Sequence, residues 1–442
     1  MIGTLRDTFR ISELRSRILF TLAMIAVYRL GSHVPTPGID PVALGKFFQS
    51  HQGGVLGFLD MFSGGAFLKR FSIFALGVAP YINASIIMQL LVYVIPSLEK
   101  LAKEGTEGRQ KISQYTRYGT ILIGALQAFG MSFMLSHAGV LTTDMSQHFV
   151  QFSILTVLTL TAGTAFVMWL GEKITEKGLG NGISLLIFVG IVASLPDAIM
   201  STYRLYKDQG LFWPKMIILL GFIIVVIAAV VWIQDGVRKI PVQYAKRVVG
   251  RRVYGGQNTY IPLRVNQAGV IPIIFASSIL LFPGMVTNFF AQYFSMTSVF
   301  GKIVGWINTI LAPTHWFYLI LYCLMIIFFS YFYTAITFNP KDLADNMKKY
   351  GGFIPGVRSG RPTAEFIDRT LVRVTLVGSV FLAIIAVIPN ILMTMAHVPF
   401  YFGGTALLIV VGVGLDTMKQ LESHLVTRNY EGFLKKKSRL FK

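Results

Sequence analysis

Ten long apolar stretches, five in each half, constrain this chain more than any other feature. A run of about 20 apolar residues crosses a hydrocarbon core as a helix, because only a helix or a closed barrel satisfies its own backbone there. The pattern predicts spans at Ile18–Val34, Ile73–Ile95, Tyr118–Leu135, Phe152–Leu170 and Ile183–Met200. A second set follows at Phe212–Ile233, Ala268–Phe290, Trp316–Phe338, Leu371–Ile388 and Phe400–Leu415. The runs are continuous rather than alternating, which argues against a membrane barrel. Hydrophobic residues make up 54% of the 442 and charged residues 14%. That leaves too little polar surface for a water-soluble domain of this length.

Charge gives the orientation. The forty Lys and Arg residues outnumber twenty acids. Of the forty, 31 sit in alternate connectors or at the two ends, six in the other connectors, and three within a span: Lys215 and Arg373 in the first four residues of theirs, and Arg29 deeper inside the first. The excess of positive charge on one side predicts that both termini are cytoplasmic, which requires an even number of crossings. The first span lacks a small-x-small site after it and reads as a retained helix, not a cleaved signal. Arg29 reads as a side chain snorkelling to the outer interface, with an intramembrane functional role as the alternative.

The chain divides into a cytoplasmic segment 1–17, an N-terminal half 18–205, a C-terminal half 206–415 and a basic tail 416–442. Within each half the second and third spans begin at similar offsets from the first. Five crossings is an odd number, so the second half enters the membrane from the opposite side. That pattern suggests an inverted repeat about an axis in the membrane plane. Residues 53–77 are too apolar for a solvated loop, yet too polar and glycine-rich to span. They fit a half-helix tucked back into the protein, or an amphipathic helix on the outer surface.

Catalytic chemistry has no foothold in the sequence. The seven histidines show no metal-ligand spacing, Cys323 is the only cysteine, and no Walker A, HExxH or GxSxG run is present. Gly178-Leu-Gly180-Asn-Gly182 follows a span, not a strand, and reads as a tight turn between helices. No cofactor is expected. The spans carry almost no acids, which a proton-coupled transporter would place there.

Several long motifs occur in order. They are MFSGG (Met61–Gly65), IFALGVAPYINASIIMQLL (Ile73–Leu91), EGRQKISQYTRYGT (Glu107–Thr120), MWLGEKITEKGLGNGIS (Met168–Ser184) and YAKRVVGRRVYGG (Tyr244–Gly256). They continue with NQAGVIPIIFASSILLFP (Asn266–Pro283), NPKDLADNMKKYGGFIPGVRSG (Asn339–Gly360) and VPFYFGGTALLIVV (Val398–Val411). From about Arg15 to the tenth span, the chain resembles the SecY family of protein-translocation channels. The resemblance implies an all-α polytopic membrane protein, with ten transmembrane helices in two inverted five-helix halves around a central hourglass pore. It also implies a re-entrant plug helix at residues 60–71, comprising Asp60, Met61, Phe62, Ser63, Gly64, Gly65, Phe67, Lys69 and Arg70.

By the same resemblance, a pore ring falls on Val78, Ile82, Ile183, Ile187, Ile274 and Ile409. The family's ring is typically isoleucine, so Val78 departs by one methylene. Such aliphatic side chains would dewet a narrow pore and still deform around a passing chain. Without the motifs each would count as ordinary packing. Asn83, Gln89 and Asn266 line the implied lateral gate, between the second and third spans and the seventh and eighth. Arg247, Arg251, Arg252 and Arg358 lie on the two large cytoplasmic loops, 236–267 and 339–370. Topology explains much of that charge, and the resemblance makes them contacts for the motor ATPase SecA or the ribosome.

The function implied is a passive, non-enzymatic channel in the bacterial inner (plasma) membrane. It would pass unfolded preproteins and release transmembrane segments sideways into the lipid bilayer. The implied partners are signal sequences, the membrane subunits SecE and SecG, and SecA or the ribosome. Two other classes compete: a small-solute secondary transporter, which also uses inverted repeats, and a membrane-embedded enzyme. The first lacks acids in its spans and the second lacks a nucleophile, base or metal constellation.

Overall fold

The computed structural model describes residues 11–50, 60, 63–65, 70–142, 147–208, 212–244, 247–249, 252–254, 258–291, 299–311, 315–396 and 404–439. Helices account for most of it. The N-terminal part holds α1 (Ser12–Gly31), α2 (Pro41–Ser50), α3 (Ala79–Val94), α4 (Pro96–Lys103), α5 (Thr106–His137), α6 (Phe149–Lys177) and α7 (Gly182–Asp208). The C-terminal part holds α8 (Phe212–Asp235), α9 (Ile271–Ala291), α10 (Val299–Ile310), α11 (Trp316–Thr337), α12 (Pro340–Lys349), α13 (Arg361–Ala396) and α14 (Gly404–Arg439). Among the described residues, each predicted apolar stretch overlaps one of these helices. Among the described residues, α5, α6, the run Trp316–Lys349 and Arg361–Ile388 are long and apolar enough to cross a membrane by themselves. The pair α3 and α4 makes a fifth such unit, bent by 100°.

That bend follows from Pro96. Proline offers no N–H and pushes the residue before it out of the helical region. Ile95 accordingly sits at φ −100°, ψ 112°. Beyond the break, α4 buries no residue. Lys103 Nζ lies 2.6 Å from Glu99 Oε1. The hydrogen bond, then the charge, of Lys103 holds the exposed Glu99 carboxyl below its ordinary range.

The second span is shorter than the predicted Ile73–Ile95. Residues 73–78 form turns, and the helix begins only at Ala79, with Pro80 in its first turn. The cause is local packing. Phe74 stacks on Tyr28 of α1 and on Phe166 of α6, both at 5.9 Å between ring centroids. A Cβ added at Gly163 of α6 would lie 1.9 Å from the Ile73 carbonyl oxygen, and one at Gly31 would lie 2.0 Å from the Phe74 ring. The two glycines therefore admit a turn that a side chain would displace. Hydrogen bonds from Ile73 N to Val34 O (3.0 Å) and from Thr36 N to Phe71 O (3.0 Å) tie the turn to the chain after α1.

Packing sorts the helices into two groups. Helices α5 and α6 pack together, with α1, α3 and α7 against them. In the other group α11 packs on α9 and α13, and α14 on α8 and α13. The groups touch through α3 and α5 against α9, and through α7 against α8 and α14. One apolar core runs through both, with residues such as Ile86, Leu186, Ile273, Phe329 and Leu408.

The two large loops, 236–267 and 339–370, are not helical throughout, a departure from a purely α reading. Strands β1 (Val237–Tyr244), β4 (Asn258–Arg264) and β5 (Gly352–Phe353) form one antiparallel sheet in the order β4-β1-β5. Strands β2 (Arg247–Val249) and β3 (Arg252–Tyr254) form a hairpin between β1 and β4. Ile240 and Val242 alternate inward and join Leu263, Met347, Ile354, Ile367 and Leu371 in a separate small core. Strand β5 comes from the other large loop, so the two loops fold as one unit.

Candidate functional site

Four helices bring the predicted ring residues together. Val78 precedes the first turn of α3 and Ile82 lies one turn on. Ile183 and Ile187 are likewise four apart on α7, so each pair shares a helix face. Ile274 comes from α9 and Ile409 from α14. Five of the six are buried, Ile409 completely, and Ile183 is half-buried. All six belong to the single core shared by both groups of helices.

On one side of these residues a cavity of about 700 Å³ opens. Ile82, Ile183, Ile187 and Ile274 line it, together with Ser85, Gln89 and Tyr333. Charged groups of α5 and α6 line it as well. Arg117 donates from Nε to Glu172 Oε1 and sets Nη2 against Oε2, both at 2.9 Å. Such a forked pair fixes geometry as well as charge. Lys173 Nζ meets Glu176 Oε2 at 2.6 Å. The cavity is thus wet and charged where α5 and α6 face it, and aliphatic where α3, α7 and α9 converge.

The segment around residue 60 meets the other side. Gly190 lies three residues beyond Ile187 on α7, on the same helix face and about 4.5 Å further along the axis. Gly64 packs on it: a Cβ at Gly64 would lie 2.8 Å from Gly190 Cα. Gly64 also holds φ +69°, where glycine is the least strained residue. Ser63 is buried and donates from Oγ to the Asp60 carbonyl at 3.0 Å, and Gly65 N donates to the same oxygen at 2.9 Å. The described part of the segment is therefore tucked against α7, not laid on the outer surface. Arg70 is exposed. Met61, Phe62, Phe67 and Lys69 lie outside the described residues.

Sequence reasoning singled out Arg29 but not this contact, and it missed Gly190. Arg29 does not turn outward. Its Nη1 donates to the Gly64 carbonyl at 3.4 Å, because Tyr28 beside it is locked inward by Phe74. Gly190 carried one available signal, its place at i+3 from Ile187 on the ring face of α7.

The seam between the groups carries both apolar and polar contacts. Tyr93 of α3 meets Phe332 of α11 edge-on at 5.6 Å. Gln89 donates from Nε2 to Ser85 Oγ at 3.1 Å within α3, and its side chain also hydrogen-bonds the Tyr333 side chain of α11 across the seam. Asn266 donates from Nδ2 to Gly269 O at 2.9 Å within its own segment. Asn83 is half-buried on α3.

The predicted docking arginines share the cytoplasmic unit. Arg247 and Arg252 lie on the β2–β3 hairpin, and Arg251 at its tip lies outside the described residues. Arg358 is exposed on a turn between Gly356 and Gly360, both at positive φ. Thr363 Oγ1 donates to the Arg358 carbonyl at 2.9 Å and fixes that turn to the start of α13.

A SecY family profile matches residues 72–418. The chain belongs to the SecY family. It is 49% identical over 431 residues to a protein translocase subunit SecY of Pseudomonas aeruginosa, covering 96% of this chain and 94% of that one. It is 44% identical to one of Aquifex aeolicus, covering 98% and 99%. The fold is that of a solved protein-conducting channel, with a TM-score of 0.63 at 17% identity over 93% of both chains. A SecY structure whose plug domain is described as stabilising the closed state and maintaining a membrane seal gives 0.62 at 18% identity, again over 93% of both. An idle yeast Ssh1 complex bound to the ribosome gives 0.61 at 16% identity, over 92% of this chain and 89% of that one.

Proposed function

We propose that this SecY-family chain is a gated channel for unfolded polypeptides. The observation that carries the reading is one buried aliphatic cluster drawn from both helix groups, with a charged cavity on one side and the Gly64 turn on the other. Val78, Ile82, Ile183, Ile187, Ile274 and Ile409 form its waist. A ring of branched aliphatics excludes hydrated ions at rest, since water gains no hydrogen bond there. It yields to a passing chain because no side chain in it makes a directional bond. Segment 60–71 is the plug.

The two groups are the halves 18–205 and 206–415, with ten crossings and both termini in the cytoplasm of a bacterial inner membrane. The basic bias of alternate connectors supports that orientation. The seam along α3, α5, α9 and α11 is the lateral gate, near Asn83, Gln89 and Asn266, through which apolar segments leave for lipid. The chain is not an enzyme, so SecA or a translating ribosome supplies direction by docking on Arg247, Arg251, Arg252 and Arg358. SecE and SecG are the membrane partners. The ribosome-bound Ssh1 and Sec61 relatives support such docking.

Proteoliposomes holding the full chain with SecE and SecG test the proposal. Protease protection of a radiolabelled preprotein that depends on SecA and ATP supports it. Gradient-driven uptake of a small solute, without preprotein transport, overturns it in favour of a secondary transporter.

A further inference from the structure

Arg29 is the basic residue set deepest inside a predicted span, and both its backbone carbonyl and its guanidinium are engaged. Its carbonyl accepts from Ser32 Oγ at 2.7 Å and lies 2.7 Å from His33 Nδ1, which closes the C-terminal end of α1. Tyr28, fully buried and stacked on Phe74, sets the rotation of the helix. The guanidinium is then left to reach across to Gly64 O at 3.4 Å. That oxygen lies one residue past the helical residue Ser63, on a turn residue at φ +69°. A backbone carbonyl outside a helical ladder is an acceptor that needs its own donor, and a basic side chain suits its partial negative charge. Gly65 N and Ser63 Oγ already converge on the Asp60 carbonyl. Gly64 O is the carbonyl to which Arg29 donates.

We infer that Arg29 is a positioning residue that latches segment 60–71 in the closed channel by capping the turn at Gly64. The inference rests on reading that segment as the plug. Gly190 supplies the surface that the turn presses on, and Arg29 supplies the polar bond that holds it there. Because the contact is one hydrogen bond from a charged donor, it is strong enough to bias the plug and weak enough to release it. Its loss should raise the displaced population about fivefold to tenfold.

The test uses the full chain reconstituted with its membrane subunits. Arg29→Met keeps the apolar stem and removes the donor. Resting ion conductance should rise about fivefold to tenfold. With Cys323→Ser and Ser63→Cys, labelling by an impermeant thiol reagent from the outer side should quicken by a similar factor. Arg29→Lys, which keeps a cation and a donor, should restore most of the closure. Should Arg29→Met fail to assemble, Arg29→Gln serves as the neutral variant with the same expectation. Gly64→Leu, which the space beside Gly190 cannot hold, displaces the segment independently. Arg29→Met should add nothing in that background, the signature of one shared contact. If Gly64→Leu leaks and Arg29→Met neither leaks nor speeds labelling, the latch is wrong and the plug reading stands. A further leak from Arg29→Met on top of Gly64→Leu also overturns the latch. If Gly64→Leu itself does not leak, the plug reading fails and the latch fails with it.

Discussion

At the scale of single residues, glycine decides more here than any charged group. Gly163 faces the Ile73 carbonyl so closely that a methyl would sit 1.9 Å from it. That oxygen belongs to the turn that aims α3, and with it Val78 and Ile82. Gly163→Ala should therefore cost on the order of 1–3 kcal/mol or more, as backbone must move to admit the extra atom. A lowered thermal midpoint in detergent would register it. Gly221 on α8 has nothing within 4 Å of the same added atom. Gly221→Ala should leave the midpoint unchanged, and an equal drop in both variants would remove the steric argument.

At the scale of elements, the two large loops fold as one body. Strand β5 pairs with β1 through Gln243–Phe353 and Tyr244–Gly352, and the core under them includes Met347 and Ile367. A hairpin carrying Arg247 and Arg252 and a turn carrying Arg358 are thereby held on a common scaffold. Arg358→Glu should weaken binding of SecA or the ribosome about threefold to tenfold at low salt, with preprotein-independent ion conductance unchanged. The difference should shrink near 1 M salt, where screening acts within about 3 Å. Equilibrium binding across a salt series measures it. A loss of affinity that ignores salt would mean the substitution had disturbed the scaffold instead.

At the scale of the whole molecule, the aliphatic cluster draws on two groups of helices, and the proposed seal depends on both. Replacing Ile82, Ile183, Ile187, Ile274 and Ile409 together by Gly opens space no neighbour can fill. Resting conductance in planar bilayers should then rise at least tenfold, since the barrier is the absence of water at the waist. Conductance equal to the unsubstituted channel would reject these residues as its seal. The same logic makes the plug and ring partly redundant, so leak should be greatest when Gly64→Leu is combined with the ring substitutions.

The sequence alone determined what depends on composition and period. Continuous apolar runs specify helices in lipid, and the ordered motifs specify the family. Even there, period went partly unread: the inward alternation of Ile240 and Val242 signals a strand that the loop's charge obscured. Tertiary structure alone decided what depends on approach between distant segments. It shortened the second span at Val78, turned Arg29 inward and set Gly64 on Gly190. None of these follows from local propensity, because each arises where backbone from one segment fills the space that a glycine or a locked aromatic ring of another leaves open.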